Sequence, residues 1–174
     1  MVGRFSYTCM LVLLCWLSKG SSQSQFPHDW QGLYRGELQI FSEGKIAQKV
    51  PMHLEIKYLD DKSYSWHIQY GPDSTGLRPY VLLLTDPAKG RYEIDEKNGI
   101  ILPADLLGNA LISIFEVQDN LLISQYEKVG DELHFSICMS RKSQSTTTGG
   151  TSPDIPEVKG FPIGIFQTAI LKAE

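Results

Sequence analysis

Residues 109–139, NALISIFEVQDNLLISQYEKVGDELHFSICM, decide the fold. Three runs rich in β-branched and aromatic residues occupy positions 110–117, 121–129 and 132–139. Residues 118–120 separate the first two runs, and Gly130-Asp131 separates the last two. Short apolar runs joined by residues that favour turns are typical of antiparallel hairpins. This stretch therefore predicts a three-stranded antiparallel meander.

The second hairpin of this meander has a defined register. A two-residue turn with Gly130 at its first central position places Val129 opposite Glu132 and Tyr126 opposite Phe135, because glycine adopts the positive φ needed there. One face is then largely apolar, and the other places Glu127 opposite His134. The first hairpin allows either a two-residue loop at Asp119-Asn120 or a three-residue loop that includes Gln118. The apolar face carries Leu122, Tyr126, Leu133, Phe135, Ile137 and Met139.

A second pair of strands precedes the meander, at 47–59 and 63–70. Both runs alternate apolar and polar residues, which indicates one buried and one solvated face. A three-residue loop at 60–62 keeps the two apolar faces together, whereas a two-residue loop would oppose apolar to polar residues. The predicted partners are Met52 with Tyr70, Leu54 with Ile68, Ile56 with Trp66, Tyr58 with Tyr64 and, on the outer face, Glu55 with His67.

Further runs at 29–41, 79–85, 91–95 and 100–102 predict more strands, with a tight turn at Asn98-Gly99. Residues 103–108 predict one helical turn, with Pro103 at its start and Gly108 past its end. Residues 141–160 are rich in Ser, Thr, Gly and Pro and predict an exposed, mobile loop. A last strand, 161–171, is expected to pair with residues 34–41 and close the sheet, because a free edge of this kind promotes aggregation.

The amino terminus predicts a signal peptide at residues 1–22. Arg4 precedes a short apolar run, and Gly20-Ser21-Ser22 provides small residues for cleavage. The run is shorter than the roughly 20 residues that a membrane-spanning helix needs, so no transmembrane span is predicted. We therefore expect one domain at 23–174 that is secreted or periplasmic, and the alternative is a lipid anchor on Cys15.

Charge and cysteine content narrow the class of protein. Beyond residue 22 the chain has 14 basic and 20 acidic residues, a net charge of −6, which disfavours nucleic acid as a partner. Cys138 is the sole cysteine of that part, so no disulfide forms within it, and no Asn-x-Ser/Thr acceptor is present. Both features favour a bacterial export route over an animal one. Cys138 is either a buried or half-buried small side chain or a reactive thiol.

The segment 29–36, DWQGLYRG, resembles the opening of calycin-type barrels, the superfamily of lipocalins and fatty-acid-binding proteins, in which a Trp and a Gly mark the first strand. This resemblance and the strand pattern predict an all-β fold, an antiparallel up-and-down barrel of about 8–10 strands. The alternative is a β-sandwich. The resemblance implies a barrel that holds a small apolar ligand.

Candidate catalytic and metal-binding residues are few. His53 and His67 share a face with Glu55, and two histidines with a carboxylate bind zinc in some proteins. The alternative is a solvated cross-strand pair between Glu55 and His67. No nucleophile elbow, zinc-protease helix, phosphate-binding loop or Cys-x-x-Cys occurs in the sequence. We therefore predict no cofactor, no metal site and no catalytic residues.

The inward aromatic side chains are the best candidates for function. Several tyrosines on an inward face bring more hydroxyl groups than a dry core holds, and each needs a partner. We predict a binding protein for a small hydrophobic molecule; the alternatives are a secreted interaction or inhibitor domain with a packed interior, whose partner the sequence does not name, and an enzyme at the barrel mouth. An interior cavity of roughly 300 Å³ or more favours the first. The predicted ligand-binding residues are Met52, Tyr58, Tyr64, Trp66, Tyr70, Tyr126 and Phe135.

Overall fold

A computed structural model of the protein describes residues 25–174. The proposed signal peptide and the anchor candidate Cys15 lie outside these residues. Ten of twelve strands form one closed antiparallel barrel. Each pairs with the next along the chain, and β12 joins β9 to β1. The strands are β1 (Gly32–Ser42), β2 (Lys45–Asp60), β3 (Ser63–Tyr70), β4 (Leu77–Asp86), β5 (Arg91–Asp95), β6 (Ile101–Leu107), β7 (Ala110–Val117), β8 (Asn120–Val129), β9 (Glu132–Arg141), β10 (Thr146–Thr148), β11 (Val158–Gly160) and β12 (Ile165–Ala173).

The closed barrel confirms the predicted architecture and excludes the sandwich. β12 pairs antiparallel with β1, from Tyr34 opposite Ala173 to Ser42 opposite Ile165. Its other edge pairs with β9. Every barrel strand therefore has two neighbours, and the sheet has no open edge to pair with another chain.

The predicted registers of both hairpins are confirmed. Tyr126 lies opposite Phe135 and Glu127 opposite His134. All five predicted pairs between β2 and β3 are present, from Tyr58 with Tyr64 to Met52 with Tyr70. The extra residue is placed differently, however. Asp60 pairs with Ser63, and the register shifts between Tyr58 and Asp60, so Leu59 forms a β-bulge. A bulge keeps the apolar faces together as a three-residue loop would.

Three other local predictions need correction. Residues 103–107 belong to strand β6 and not to a helical turn, because Leu102, Ala104 and Leu106 alternate with outward residues and pair with β5 and β7. The loop at Asn98-Gly99 is longer than a two-residue turn, since Asp95 pairs with Ile101. In the first hairpin of the meander, Val117 pairs with Asn120, so the two-residue loop is Gln118-Asp119.

The segment 141–160, predicted to be a loop, contains regular structure. It is exposed, as expected, but β10 and β11 pair as a small two-stranded sheet, with Thr147 opposite Lys159. A single turn of 3₁₀ helix, Lys142–Gln144, leads into it. Short strands of Thr and Val pair readily once a turn brings them together, which composition alone does not reveal.

One end of the barrel is closed by the residues before β1. Phe26 precedes a short 3₁₀ helix, His28–Trp30, of which Trp30 is the last residue, and the side chains of Phe26 and Trp30 are buried. Phe26 packs edge-on against Trp30 and against Tyr92 of β5. The hydroxyl of Tyr34 donates to the carbonyl of Trp30 at 3.0 Å. The Trp of the quoted opening segment thus fills the closed end of the barrel.

The outer wall holds the remaining cysteine. Cys138 is a free, half-buried thiol on the outward side of β9, opposite Ile123 and Phe166. It therefore lies away from the barrel interior. No helix within residues 25–174 is long and apolar enough to cross a membrane.

Candidate functional site

The barrel interior contains a cavity of about 210 Å³. It lies toward the end opposite Trp30: Trp66 pairs with Ile56, near the Trp30 end, and Tyr70 pairs with Met52, nearer the other end. Aromatic side chains supply much of its wall. The lining residues are Trp66, Tyr70, Tyr80, Phe115, Tyr126 and Phe135, with the aliphatic Ile68, Ile94, Leu102, Leu111 and Ile137 and the polar Glu96, Ser113 and Ser124.

A second, more open space of about 350 Å³ borders the first. Both are lined by Tyr70, Phe135 and Ile137. Its other walls come from β1, β2 and β12 and include Leu38, Val50 and Gln167. The inner cavity alone is smaller than the roughly 300 Å³ at which ligand pockets begin, but the two adjoining spaces together exceed that size.

The inner cavity ends on a packed group of rings. Trp66 is fully buried, and its ring meets the ring of Tyr126 edge-on with centroids 5.1 Å apart. Tyr126 packs in turn against Phe135 at 5.0 Å. On its other side, Trp66 lies 6.4 Å from Trp30. Aromatic contacts thus connect the closed end of the barrel to the floor of the cavity, which makes that floor rigid.

Polar groups in this apolar wall lack protein partners. Ser113 and Ser124 are directly opposite each other on β7 and β8, and Ser113 and Tyr126 are 7% and 8% exposed. No hydrogen bond among residues 25–174 involves the hydroxyls of Tyr126, Ser113 or Ser124. Within the same residues the indole nitrogen of Trp66 is buried without a hydrogen-bond partner. Buried polar groups nearly always have partners, so the indole nitrogen of Trp66 is an exception, and the hydroxyls that line the cavity are free to hydrogen-bond with a molecule inside it.

Burial changes the acidity of the phenols around the cavity. Loss of solvent raises the pKa of Tyr126 well above its ordinary value, and the neighbouring Tyr70 adds to the rise. The nearby indole of Trp66 opposes it, although the two groups do not reach hydrogen-bonding geometry. Burial, with a smaller effect of Tyr80, raises the pKa of Tyr70 to about 12. The phenols are therefore neutral hydrogen-bonding groups at physiological pH.

The raised pKa of Tyr70 predicts a loss of stability in strong base. An unfolded tyrosine ionises near pH 10, so the neutral phenol favours the folded state below that pH. We expect this contribution to fall between about pH 10 and pH 12, because the unfolded chain then binds fewer protons than the native one. Tyrosinate absorbance at equilibrium measures it: Tyr70→Phe should remove a titration step near pH 12. Ionisation of every tyrosine in the folded protein near pH 10 would contradict the assigned burial of Tyr70.

Two charged side chains, Glu96 and Arg78, act on the phenol of Tyr80 near the rim of the cavity. Tyr80 lies opposite Trp66, and Arg78 lies opposite Ile68. Burial, followed by the negative charge of Glu96, raises the pKa of Tyr80, and Arg78 opposes this. Arg78 is turned toward the backbone and donates to the carbonyls of Thr75 and Leu77 at 3.2 and 3.0 Å. Among the described residues that line the two spaces, Glu96 is the only charged side chain.

Four of the seven predicted ligand-binding residues line the inner cavity: Trp66, Tyr70, Tyr126 and Phe135. Met52 and Tyr64 are buried in the core beside it. Tyr58 is elsewhere: its side chain is 51% exposed, and its hydroxyl donates to Asp61 at 2.7 Å. Tyr58 is on the inward-facing side of β2, as alternation predicted, but it lies beyond the Trp30 end of the barrel. Alternation predicts the face of the sheet that a residue occupies and not its position along the barrel axis.

The sequence pattern missed Tyr80, Glu96, Ser113 and Ser124. Extending the confirmed register by one strand, from Trp66 to Tyr80, would have found Tyr80. Ser113 and Ser124 lie on the same inward face of the meander as Tyr126 and Phe135. Counting every second residue along each strand from Tyr126 and its partner would have identified both. Glu96 follows Asp95 in what the sequence presents as an ordinary turn, so no pattern indicated that it lines the cavity.

The outer-face histidines do not form a metal site with the acids near them. His67 Nδ1 lies 3.8 Å from an oxygen of Glu55, and His53 pairs with Gln69. Within residues 25–174, no three His, Cys, Asp or Glu side chains come together as metal ligands would. Glu55 and His67 are cross-strand neighbours on the outer face, and a contact of this kind contributes little to stability.

Two solved structures resemble the fold of this chain. The chain is similar to the S-type phycobiliprotein lyase CPES from Guillardia theta, with a TM-score of 0.50 and 8% identity over 83% of this chain and 88% of that one. The fold is calycin-like. A mutant of the fluorescent protein UnaG also resembles it, with a TM-score of 0.47 and 13% identity over 84% of this chain and 98% of that one. No protein-family model and no curated protein match the sequence.

Proposed function

We propose that this calycin-like barrel binds a small, largely apolar molecule in its interior. The observation that carries the proposal is an open, largely apolar cavity lined by the hydroxyl-bearing Tyr126, Ser113 and Ser124 and by Trp66, whose indole nitrogen has no partner. Apolar walls with a few convergent polar groups are the usual composition of ligand sites. The likeness to the phycobiliprotein lyase extends to the fold alone at 8% identity, so the proposal stands on the cavity itself.

The cavity also weighs against the interaction-domain alternative. That alternative calls for a packed interior, in which the hydroxyls would bond to one another or to the backbone. The space between β3, β4 and β8 is open instead, and its polar groups face it. A catalytic role at the barrel mouth has less support, since Glu96 is the only charged side chain among the described lining residues.

A cavity-filling variant tests the proposal. Ser113 points into the cavity, so Ser113→Phe should place a ring where the ligand lies. Ile114 is the next residue of β7, points outward and is 59% exposed; Ile114→Phe adds a ring to the same strand outside the barrel. Wild type and Ile114→Phe, purified from the native host, should release a shared small molecule detectable by mass spectrometry. Ser113→Phe should release at least tenfold less of it at equal protein and similar melting temperature. Equal release from all three proteins would refute interior binding.

We further propose that the barrel is exported after removal of residues 1–22 and works in a secreted or periplasmic compartment. The positive charge, short apolar run and small residues of that segment support this. Amino-terminal sequencing of the exported protein tests it: a chain starting near Gln23 is expected. Retention of Met1 would contradict export, and a lipid on Cys15 would replace the free form by an anchored one.

A further inference from the structure

The charge and ring content of the cavity define the class of ligand, and this inference rests on the proposed function. From the aromatic walls and the single acidic side chain, we propose that the site takes a compact aromatic or aliphatic amine, bound as its cation, in preference to a carboxylate of the same shape. The ammonium group lies toward Glu96 at the rim, and the apolar body lies inward against Trp66, Tyr126 and Phe135.

The first argument concerns anions. No lysine, arginine or histidine is found among the described residues that line either space. A carboxylate moved into such a wall would lose its hydration without gaining a cation, which costs several kcal/mol in practice. The charge of Arg78 reaches the phenols of Tyr70 and Tyr80, whose pKa it lowers, but its guanidinium donates to the carbonyls of Thr75 and Leu77 and it lines neither space.

The second argument concerns cations. Six aromatic rings line the inner cavity, and the face of an aromatic ring attracts an ammonium group within about 6 Å, more strongly where water is excluded. The carboxylate of Glu96 is held at the rim, where it accepts a hydrogen bond from the side-chain amide of Asn98 at 3.1 Å. An acid fixed at the opening of an aromatic-walled cavity suits an organic ammonium ion.

The third argument concerns the hydroxyls. Ser113, Ser124 and the phenol of Tyr126 are neutral, and each can accept a hydrogen bond as well as donate one. They therefore tolerate N–H groups on a ligand as readily as oxygen atoms. The cavity thus has acceptors at its rim and along its wall, together with ring faces, and all of these are compatible with an amine.

Three probes share one naphthalene body and differ in charge at pH 7. They are the cation 2-(1-naphthyl)ethylamine, the neutral 2-(1-naphthyl)ethanol and the carboxylate of 1-naphthaleneacetic acid. Calorimetric titration of the whole protein at pH 7 should give an affinity for the amine at least tenfold above that for the acid and severalfold above that for the alcohol. Binding of the alcohol reports the apolar cavity itself. If the alcohol binds but the amine binds no more tightly than the acid, the amine inference is wrong and the proposed function stands.

Glu96→Gln provides the decisive variant, and Glu93→Gln is its control. Both remove one negative charge from the same stretch of chain, but Glu93 alternates with the inward Tyr92 and Ile94 and therefore faces outward. We expect Glu96→Gln to reduce amine binding about tenfold and leave alcohol binding unchanged, and Glu93→Gln to change neither. If both variants lose amine affinity equally, the loss comes from the change in net charge and not from Glu96 at the cavity, and the inference is wrong. Failure of all three probes to bind wild type would overturn the proposed function as well.

Discussion

Removal of residues 161–174 is expected to abolish cooperative folding. The deleted segment contains β12, which bonds to β1 along one edge and to β9 along the other. It also contributes Ala169 and Leu171, which are 3% and 0% exposed. Without it the barrel has two open edges and an uncovered core, and open edges of this kind pair with other chains. The truncated protein should show no cooperative thermal transition and should aggregate or bind hydrophobic dye.

Two point substitutions on β12 separate the core contribution from the rest. Leu171→Ala should lower the free energy of unfolding by about 2–5 kcal/mol, as expected for a leucine lost from a filled core. The neighbouring Ile170 points outward and is 52% exposed, so Ile170→Ala should change it by about 0.5 kcal/mol or less. Denaturant unfolding of both variants measures the difference. A soluble truncated protein that melts cooperatively, or equal effects of the two substitutions, would show that β12 is peripheral.

Gly36→Ala is expected to produce the next largest effect. A Cβ atom at position 36 would lie 2.2 Å from the backbone oxygen of Ile170 and 3.0 Å from a methyl of Leu171. The first distance is far below van der Waals contact and involves backbone, so β1 and β12 would have to separate. Overpacking of this kind costs about 1–3 kcal/mol or more, and here it acts on the pair of strands that closes the barrel.

Gly164→Ala is the matched control for that substitution. The nearest atom to a Cβ at position 164 is the oxygen of Met139, at 3.9 Å, so an alanine fits there without displacement. We expect a clear fall in the denaturant midpoint for Gly36→Ala and little change for Gly164→Ala. If Gly36→Ala unfolds at the wild-type midpoint, the close approach of β1 and β12 at this glycine is wrong.

The sequence predicted best where two independent constraints agreed. In β2 and β3 the alternation of both strands and the short connection allowed one register, and that register is present. The position of the extra residue was not determined, because a bulge at Leu59 and a third loop residue have the same effect on the faces. Residues 103–108 failed for a related reason. Proline at the start and glycine past the end fit a helical turn, yet Ala104 and Leu106 alternate in the manner of a strand.

The site was harder to predict than the fold. Alternation tells which face a residue occupies but not how far along the barrel it lies. Tyr58 and Tyr70 share an inward face in the sequence, whereas one is solvated near Asp61 and the other lines the cavity. Glu96 and Tyr80 come together because Val81, in the middle of β4, pairs with Asp95, the last residue of β5. Their distance depends on loop conformation and barrel shape, which local sequence does not encode.

Closure of the sheet by β12 has a consequence for the speed of folding. The pairing of Tyr34 with Ala173 joins residues near the two ends of the barrel sequence. The chain between them loses conformational entropy when these residues meet, before the contacts between β1 and β12 compensate for that loss. Apart from β9 and β12, which residues 142–164 separate, the other neighbouring strands are consecutive along the chain and can pair early. Closure is therefore expected to limit the refolding rate, on the millisecond-to-second scale of proteins rich in non-local contacts. Until it occurs, β1 and β9 each present an unpaired edge, and the partly folded chain is most exposed to self-association during that interval.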